Sequence, residues 1–137
     1  MLIERCLQGV SGVEVDVYTG GWPEAPNALE GADAVVVFCT GGGSHLAIQE
    51  GRLAQLRKVM SDGAGFGCLH YGVEVPKDKG GSEFLEWMGG YFETNWSVNP
   101  HWTAEFTSFP DHPITNGVQP FAVNDEWYFH MRFPENM

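Results

Sequence analysis

Positive charge is scarce in this chain: seven lysines and arginines stand against eighteen aspartates and glutamates, a formal net charge of −11 over 137 residues. Such a balance repels phosphate backbones and anionic lipid, so neither nucleic acid nor a membrane surface is an expected partner. Long apolar runs are missing as well, and nothing approaches the roughly 18–20 residues that cross a bilayer. Cysteine occurs three times, as Cys6, Cys39 and Cys68, widely spaced among apolar neighbours. An odd number without CxxC spacing excludes a disulfide framework or a thiolate metal site and predicts buried free thiols. There is no GxGxxG, P-loop lysine or HExxH, which argues against a nucleotide site and a compact zinc motif.

What is present is the composition of a globular protein, 43% hydrophobic and 13% aromatic, at the length of one domain, residues 1–137. After Met1, the stretch IERCLQGVSG reads as the end of a helix with its glycine cap rather than as a signal peptide. No buried strand precedes it, and FPENM closes without a further element. The sequence therefore reads as a piece lacking a first strand and C-terminal elements, with cytoplasmic and exported locations left open. VEVDVYT (13–19) alternates like a half-buried edge strand. ADAVVVFCT (32–40) has the continuous β-branched centre of a strand covered on both faces in the middle of a parallel sheet. Leu53, Leu56, Val59 and Met60 recur at helical spacing, and GAGFGCLHYG (63–72) reads as a second strand breaking into a turn. Together these predict a βαβ unit. SEFLEWMGGYF predicts a short helix stopped by Gly89 and Gly90, and segments 103–109 and 120–133 read as strands around the loop PDHPITNG.

Parallel sheets place ligands beyond the carboxyl ends of their strands, where loops converge. Two loops qualify. TGGGSH (40–45) offers Gly42 and Gly43 for close backbone approach, with His45 at the helix entrance; the plain alternative is a tight turn. In the second loop, an elbow that exposes a functional side chain takes small flanking residues. Centred on Cys68 the flanks are Phe66 and His70, both bulky; centred on His70 they are Cys68 and Gly72, both small. His70 is thus the candidate, with Tyr71 beside it, and Cys68 reads as a core thiol. The alternative for His70 is an imidazole that only braces the turn.

Further along, NPHWT sets His101 next to Trp102, a sugar-stacking candidate or a core aromatic, and DHPITNG places His112 in a turn or surface loop. NDEWYFHMRF carries Asp125 and Glu126, and alternation puts Glu126, Tyr128 and His130 on one face. Histidine with a carboxylate suits proton transfer near neutral pH, and several histidines with a carboxylate also suit zinc or manganese.

With GFGCLH at a strand end, then FLEWMGGYF, DHPITNG and NDEWYF in order, the chain resembles the ThuA-like family of trehalose-utilisation domains over most of its length. The resemblance implies a class I glutamine amidotransferase-like fold, that is, an α/β flavodoxin-like three-layer sandwich with a mostly parallel central sheet. It implies a role in bacterial sugar catabolism, on oxidised (keto) glycosides. It also implies that His70 occupies the elbow where amidotransferases carry their cysteine, and that His112, Asp125 and Glu126 border the same pocket.

The expectation that follows is a carbohydrate-processing domain in which His70 and Glu126 are catalytic, exchanging protons with a hydroxyl or with a carbon beside a carbonyl. Gly42, Gly43, His45, Tyr71, His101, Trp102, His112 and Asp125 would bind the sugar. A divalent metal and a homo-oligomer are both compatible with it. Two alternatives remain open at this level: a noncatalytic carbohydrate-binding or assembly module, and a glutamine hydrolase using Cys68.

Overall fold

Three consecutive valines, Val35 to Val37, favour an extended chain and form β1 (Ala34–Phe38). Leu56 and Val59 are the inward residues of α2 (Arg52–Ser61), and Gly63, at φ +103°, turns the chain into β2 (Gly65–Leu69). The two strands pair in parallel, with Val36 opposite Gly67 and Phe38 opposite Leu69, completing the expected βαβ unit. These coordinates are a computed structural model, which describes residues 2–135.

A short 3₁₀ turn at His70–Val73 leads from β2 to β3 (Glu74–Val75). α3 (Gly81–Met88) is closed by Gly89 in the left-handed region, φ +75°, as the paired glycines predict. β4 (Phe92–Glu93) then pairs in parallel with β3, and β5 (His101–Phe106) and β6 (Phe121–Glu126) form an antiparallel hairpin. The chain is therefore α/β, with helix α1 (Leu2–Leu7) preceding the rest. Its strands make three separate two-stranded sheets among the described residues, rather than one mostly parallel central sheet. No described helix is long and apolar enough to cross a membrane.

The core forms where α2 and α3 cover one face of β1 and β2. Ala47, Leu56, Val75, Phe84 and Tyr91 are buried there, with Val35, Phe66 and Cys68 packed against them. Phe66 stands edge-on to Phe84 and Trp87, with centroids 5.3 and 5.4 Å apart. The opposite face is open: Val36 is 55% exposed, Phe38 64% and Leu69 37%. The expectation of a strand covered on both faces is thus corrected. The composition of a strand records its capacity for burial, while covering needs a second layer, and the described residues supply one layer only.

Residues 13–19 form no strand. Val13, Val15 and Val17 give the alternation, yet all three are exposed and the segment joins no ladder. A stripe becomes a strand only when a neighbour takes its backbone hydrogen bonds. The thiols are free, but Cys6 is exposed and Cys39 and Cys68 are only half-buried, which corrects the expectation of buried cysteines. The closing Asn136 and Met137, like Met1, lie outside the described residues.

Candidate functional site

His70 stands at the elbow the sequence indicated. It follows the last residue of β2 and adopts φ +53°, a left-handed conformation that costs a residue with a Cβ about 1 kcal/mol. The bend lifts the ring off the strand line, and its side chain is 51% exposed. Gly72, which allows the turn to close, lies against β1: a Cβ there would meet the Val37 carbonyl at 2.9 Å. Gly41 does the same from the neighbouring loop, where a Cβ would come within 2.6 Å of Glu74 Cβ. The two loops after β1 and β2 are therefore in contact through backbone.

The facing wall comes from a different part of the chain. After β6 the backbone runs antiparallel to residues 91–98, bridged at Val98–Phe129 and Tyr91–Arg132. Arg132 adds a charged bond from Nε to Glu93 Oε2 (2.6 Å) and lies over the Trp96 ring at 4.0 Å. Fixed in this way, Tyr128 packs edge-on against Phe92 at 5.3 Å, and its Oη lies 2.7 Å from His70 Nδ1. Glu126, only 16% exposed, accepts at Oε1 from Asn99 Nδ2 (2.6 Å) and from Tyr71 Oη (3.1 Å). Its other oxygen, Oε2, is 4.0 Å from His70 Nε2. Tyr71, Asn99 and Tyr128, which bond to this pair, line a cavity of about 230 Å³ together with Val73, Glu74, Phe92 and Ser97, whereas His70 and Glu126 themselves are not part of its lining.

The electrostatics follow from this arrangement. The accepted hydrogen bond and charge of Glu126 hold the Tyr71 phenol above its ordinary range. Burial, then the Glu126 carboxylate, push Tyr128 up to about 12, so both phenols stay protonated at neutral pH. A separation of 4.0 Å is too long for a direct hydrogen bond, but an oxygen about 2.8 Å from each partner fits between Nε2 and Oε2. Such an oxygen would receive a donor from one side and an acceptor from the other.

The remaining candidates are placed differently. His45 is fully buried, edge-on to Phe84 at 5.2 Å. Its Nε2–H donates to the Gly72 carbonyl (2.9 Å) and its Nδ1 accepts from the Ala47 N–H (3.0 Å). With both nitrogens committed and burial lowering its pKa, it is a neutral core residue rather than a sugar ligand. Gly42, at φ +71°, borders Glu74, whose Oε1 accepts from Thr94 Oγ1 (2.9 Å). Gly43 meets nothing within 4 Å at its Cβ position, and its carbonyl accepts from Gln49.

The hairpin sorts the others by face. His101 pairs with Glu126, so both side chains leave the same face of the hairpin. Trp102 pairs with Asp125 on the opposite face, where Trp102 packs against Trp127 at 5.5 Å. Asp125 Oδ1 accepts from the Glu126 N–H (2.8 Å), so it braces the catalytic candidate from behind. His112 caps the 3₁₀ turn Pro113–Thr115 with Nδ1 on the Ile114 N–H (3.2 Å). Its loop leaves the hairpin beyond the Phe106–Phe121 pair, about 17 Å along the strands from Glu126. His112, Asp125, Trp102 and His45 are thus not brought into the cluster that joins His70, Tyr71 and Glu126. Glu126 and Tyr128 do converge, as alternation expects, whereas His130, at φ +54°, stacks its ring on Phe129 with centroids 4.4 Å apart.

Cys68 faces the core, and burial, with Cys39 nearby, pushes its thiol up to about 12, leaving almost no thiolate at neutral pH. No group of three or more His, Cys, Asp or Glu among the described residues is arranged to hold a metal ion. His70 and Glu126 provide two such donors, one short of a three-ligand centre.

Sequence reasoning passed over Asn99, Glu74 and Gly41, and it placed Tyr128 on the Glu126 face without giving it a role. Tyr128 carried a legible signal, its alternation with Glu126. Asn99, Glu74 and Gly41 carried none, since each acts through a contact made only on folding. In comparison with known proteins, a family model described as ThuA, trehalose utilisation, matches residues 2–137. No curated protein and no solved structure matches the chain.

Proposed function

The chain belongs to the ThuA family, whose description is trehalose utilisation, and from that premise we propose that it acts on a sugar or keto-sugar by acid–base chemistry of His70 and Glu126. What supports the reading is the approach of His70 Nε2 to Glu126 Oε2, 4.0 Å, with their bonded partners Tyr71, Asn99 and Tyr128 lining a cavity of about 230 Å³. One substrate oxygen fits between the two groups, a secondary hydroxyl or the carbonyl beside an acidic carbon. Tyr71, Asn99 and Glu74 supply polar edges for neighbouring hydroxyls, and Tyr128 and Phe92 supply an apolar wall, the mixture a sugar ring requires. His101 leaves the same face of the hairpin as Glu126. The flavodoxin-like three-layer sandwich is part of the same reading: the βαβ unit of β1, α2 and β2 is its repeating element, with one layer of helices on it.

The second reading is a noncatalytic carbohydrate-binding module, favoured by the openness of the His70 side of the site. Titration calorimetry with trehalose, related glycosides and their keto forms, followed by product analysis, separates the two. On a substrate that is turned over, His70→Ala and Glu126→Gln each lower kcat by about 10²–10⁴-fold with the fold intact. Binding without any product, across glycosides and keto forms alike, leaves the module reading in place of the enzyme.

A further inference from the structure

We propose that Tyr128 is a positioning residue that fixes the tautomer of His70, so that the neutral ring presents Nε2–H to the cleft and Glu126 is left as the group that takes a proton. Which ring nitrogen of a neutral histidine carries hydrogen is decided by what the other nitrogen meets. Here both ends of the ring give the same answer. At Nδ1, Tyr128 Oη lies at 2.7 Å, on a side chain held in place by Phe92 and by the Val98–Phe129 bridge. Its phenol is kept protonated by burial and by the surrounding carboxylates of Glu126, Glu74 and Asp125, so its O–H is available to donate, and Nδ1 is the partner its Oη meets. At Nε2 the nearest charge is the Glu126 carboxylate at 4.0 Å, which repels a bare lone pair and attracts an N–H.

Glu126 is oriented with equal care. Asn99 and Tyr71 both donate to Oε1, so that Oε2 is the oxygen left facing the ring. A neutral imidazole of this tautomer has no free lone pair on the cleft side. It donates a hydrogen bond to a substrate oxygen and stabilises negative charge developing there. On a carbon beside a carbonyl, Glu126 Oε2 takes the proton, the carbon–hydrogen electron pair forms the new carbon–carbon double bond, and the carbonyl π pair moves onto the oxygen held by Nε2–H. This division of labour rests on the sugar-processing reading; the tautomer itself does not.

The two are tested apart. Nitrogen-15 NMR of the free full chain, at a pH where the His70 ring is neutral, is expected to show hydrogen on Nε2 and an Nδ1 resonance displaced by an accepted hydrogen bond. In Tyr128→Phe, which keeps the packing against Phe92, that displacement is lost; in Tyr71→Phe, which removes a donor to Glu126 only, it remains. Hydrogen on Nδ1 in the wild type, or an Nδ1 resonance unmoved by Tyr128→Phe, overturns the proposal whether or not a substrate is known. On an accepted substrate, Tyr128→Phe lowers kcat and leaves KM unchanged. Failure of every glycoside to react removes the sugar-processing reading and leaves the NMR result standing.

Discussion

The loops that follow β1 and β2 make a natural pair. Each leaves the carboxyl end of a parallel strand, each has a glycine packed closely against its neighbours, Gly41 or Gly72, and each presents a histidine, His45 or His70. Yet the first ring is fully buried with both nitrogens bonded to backbone, while the second stands half in solvent with one nitrogen held by a phenol and the other facing a carboxylate. The difference lies in what surrounds the loop. After β1 the chain turns back under α3, and Phe84 closes over the imidazole. After β2 the chain bends at a left-handed residue, and its neighbours are the distant residues 126–128. One histidine holds the two loops together so that the other can be held at a fixed place.

The comparison breaks most visibly if His45 is removed. His45→Ala strands the Gly72 carbonyl and the Ala47 N–H in the core and opens a cavity beside Phe84, so it is expected to destabilise the fold by about 2–4 kcal/mol in urea unfolding. Loss of less than about 0.5 kcal/mol would mean that the two loops are held by something else.

A smaller effect is written into its titration. Burial lowers the pKa of His45 in the folded state, so the unfolded chain takes up a proton first as pH falls. Its contribution is complete above about pH 6.5, the ordinary histidine value, and declines as pH drops below it. The buried carboxylates of Glu83 and Glu93, whose pKa values are lowered chiefly by hydrogen bonds that outweigh desolvation, act in a more acidic range. Between about pH 6.5 and 5, therefore, the wild type should lose stability that His45→Gln does not lose, as read from paired denaturation curves.

The smallest effect sharpens the other side. His70→Gly removes a Cβ from a left-handed position and should leave stability unchanged or raise it by up to about 1 kcal/mol, while abolishing any turnover. A clear loss of stability would assign His70 to bracing the turn.

Much of the framework was legible in the residues. The valine run of β1, the helical spacing of Leu56 and Val59, and the glycine stop after Met88 each specify a local conformation, and each forms where expected. His70 was legible too, because a strained elbow tolerates only small flanking residues. The misreadings share a cause. Val13–Thr19 and the outer face of β1 have the pattern of buried strands but lack the neighbours that pattern requires. His45 and Gly43 sit in a loop whose composition suits either a ligand or a turn, and the packing of Phe84 decided between them for His45. His112 and Asp125 share motifs with the site and yet fall at the far end, or on the reverse face, of the β5–β6 hairpin.

The amino-acid order alone determined the βαβ unit, the elbow at its second strand end, and the two-residue spacing of Glu126 and Tyr128. These are effects of steric preference and periodicity, which act within a few residues. Only the tertiary structure decided that His70 meets Glu126 and Tyr128, more than fifty residues further along the chain, and that His45 does not. Proton transfer depends on separations of a few ångströms between groups whose distance in sequence carries no information about distance in space.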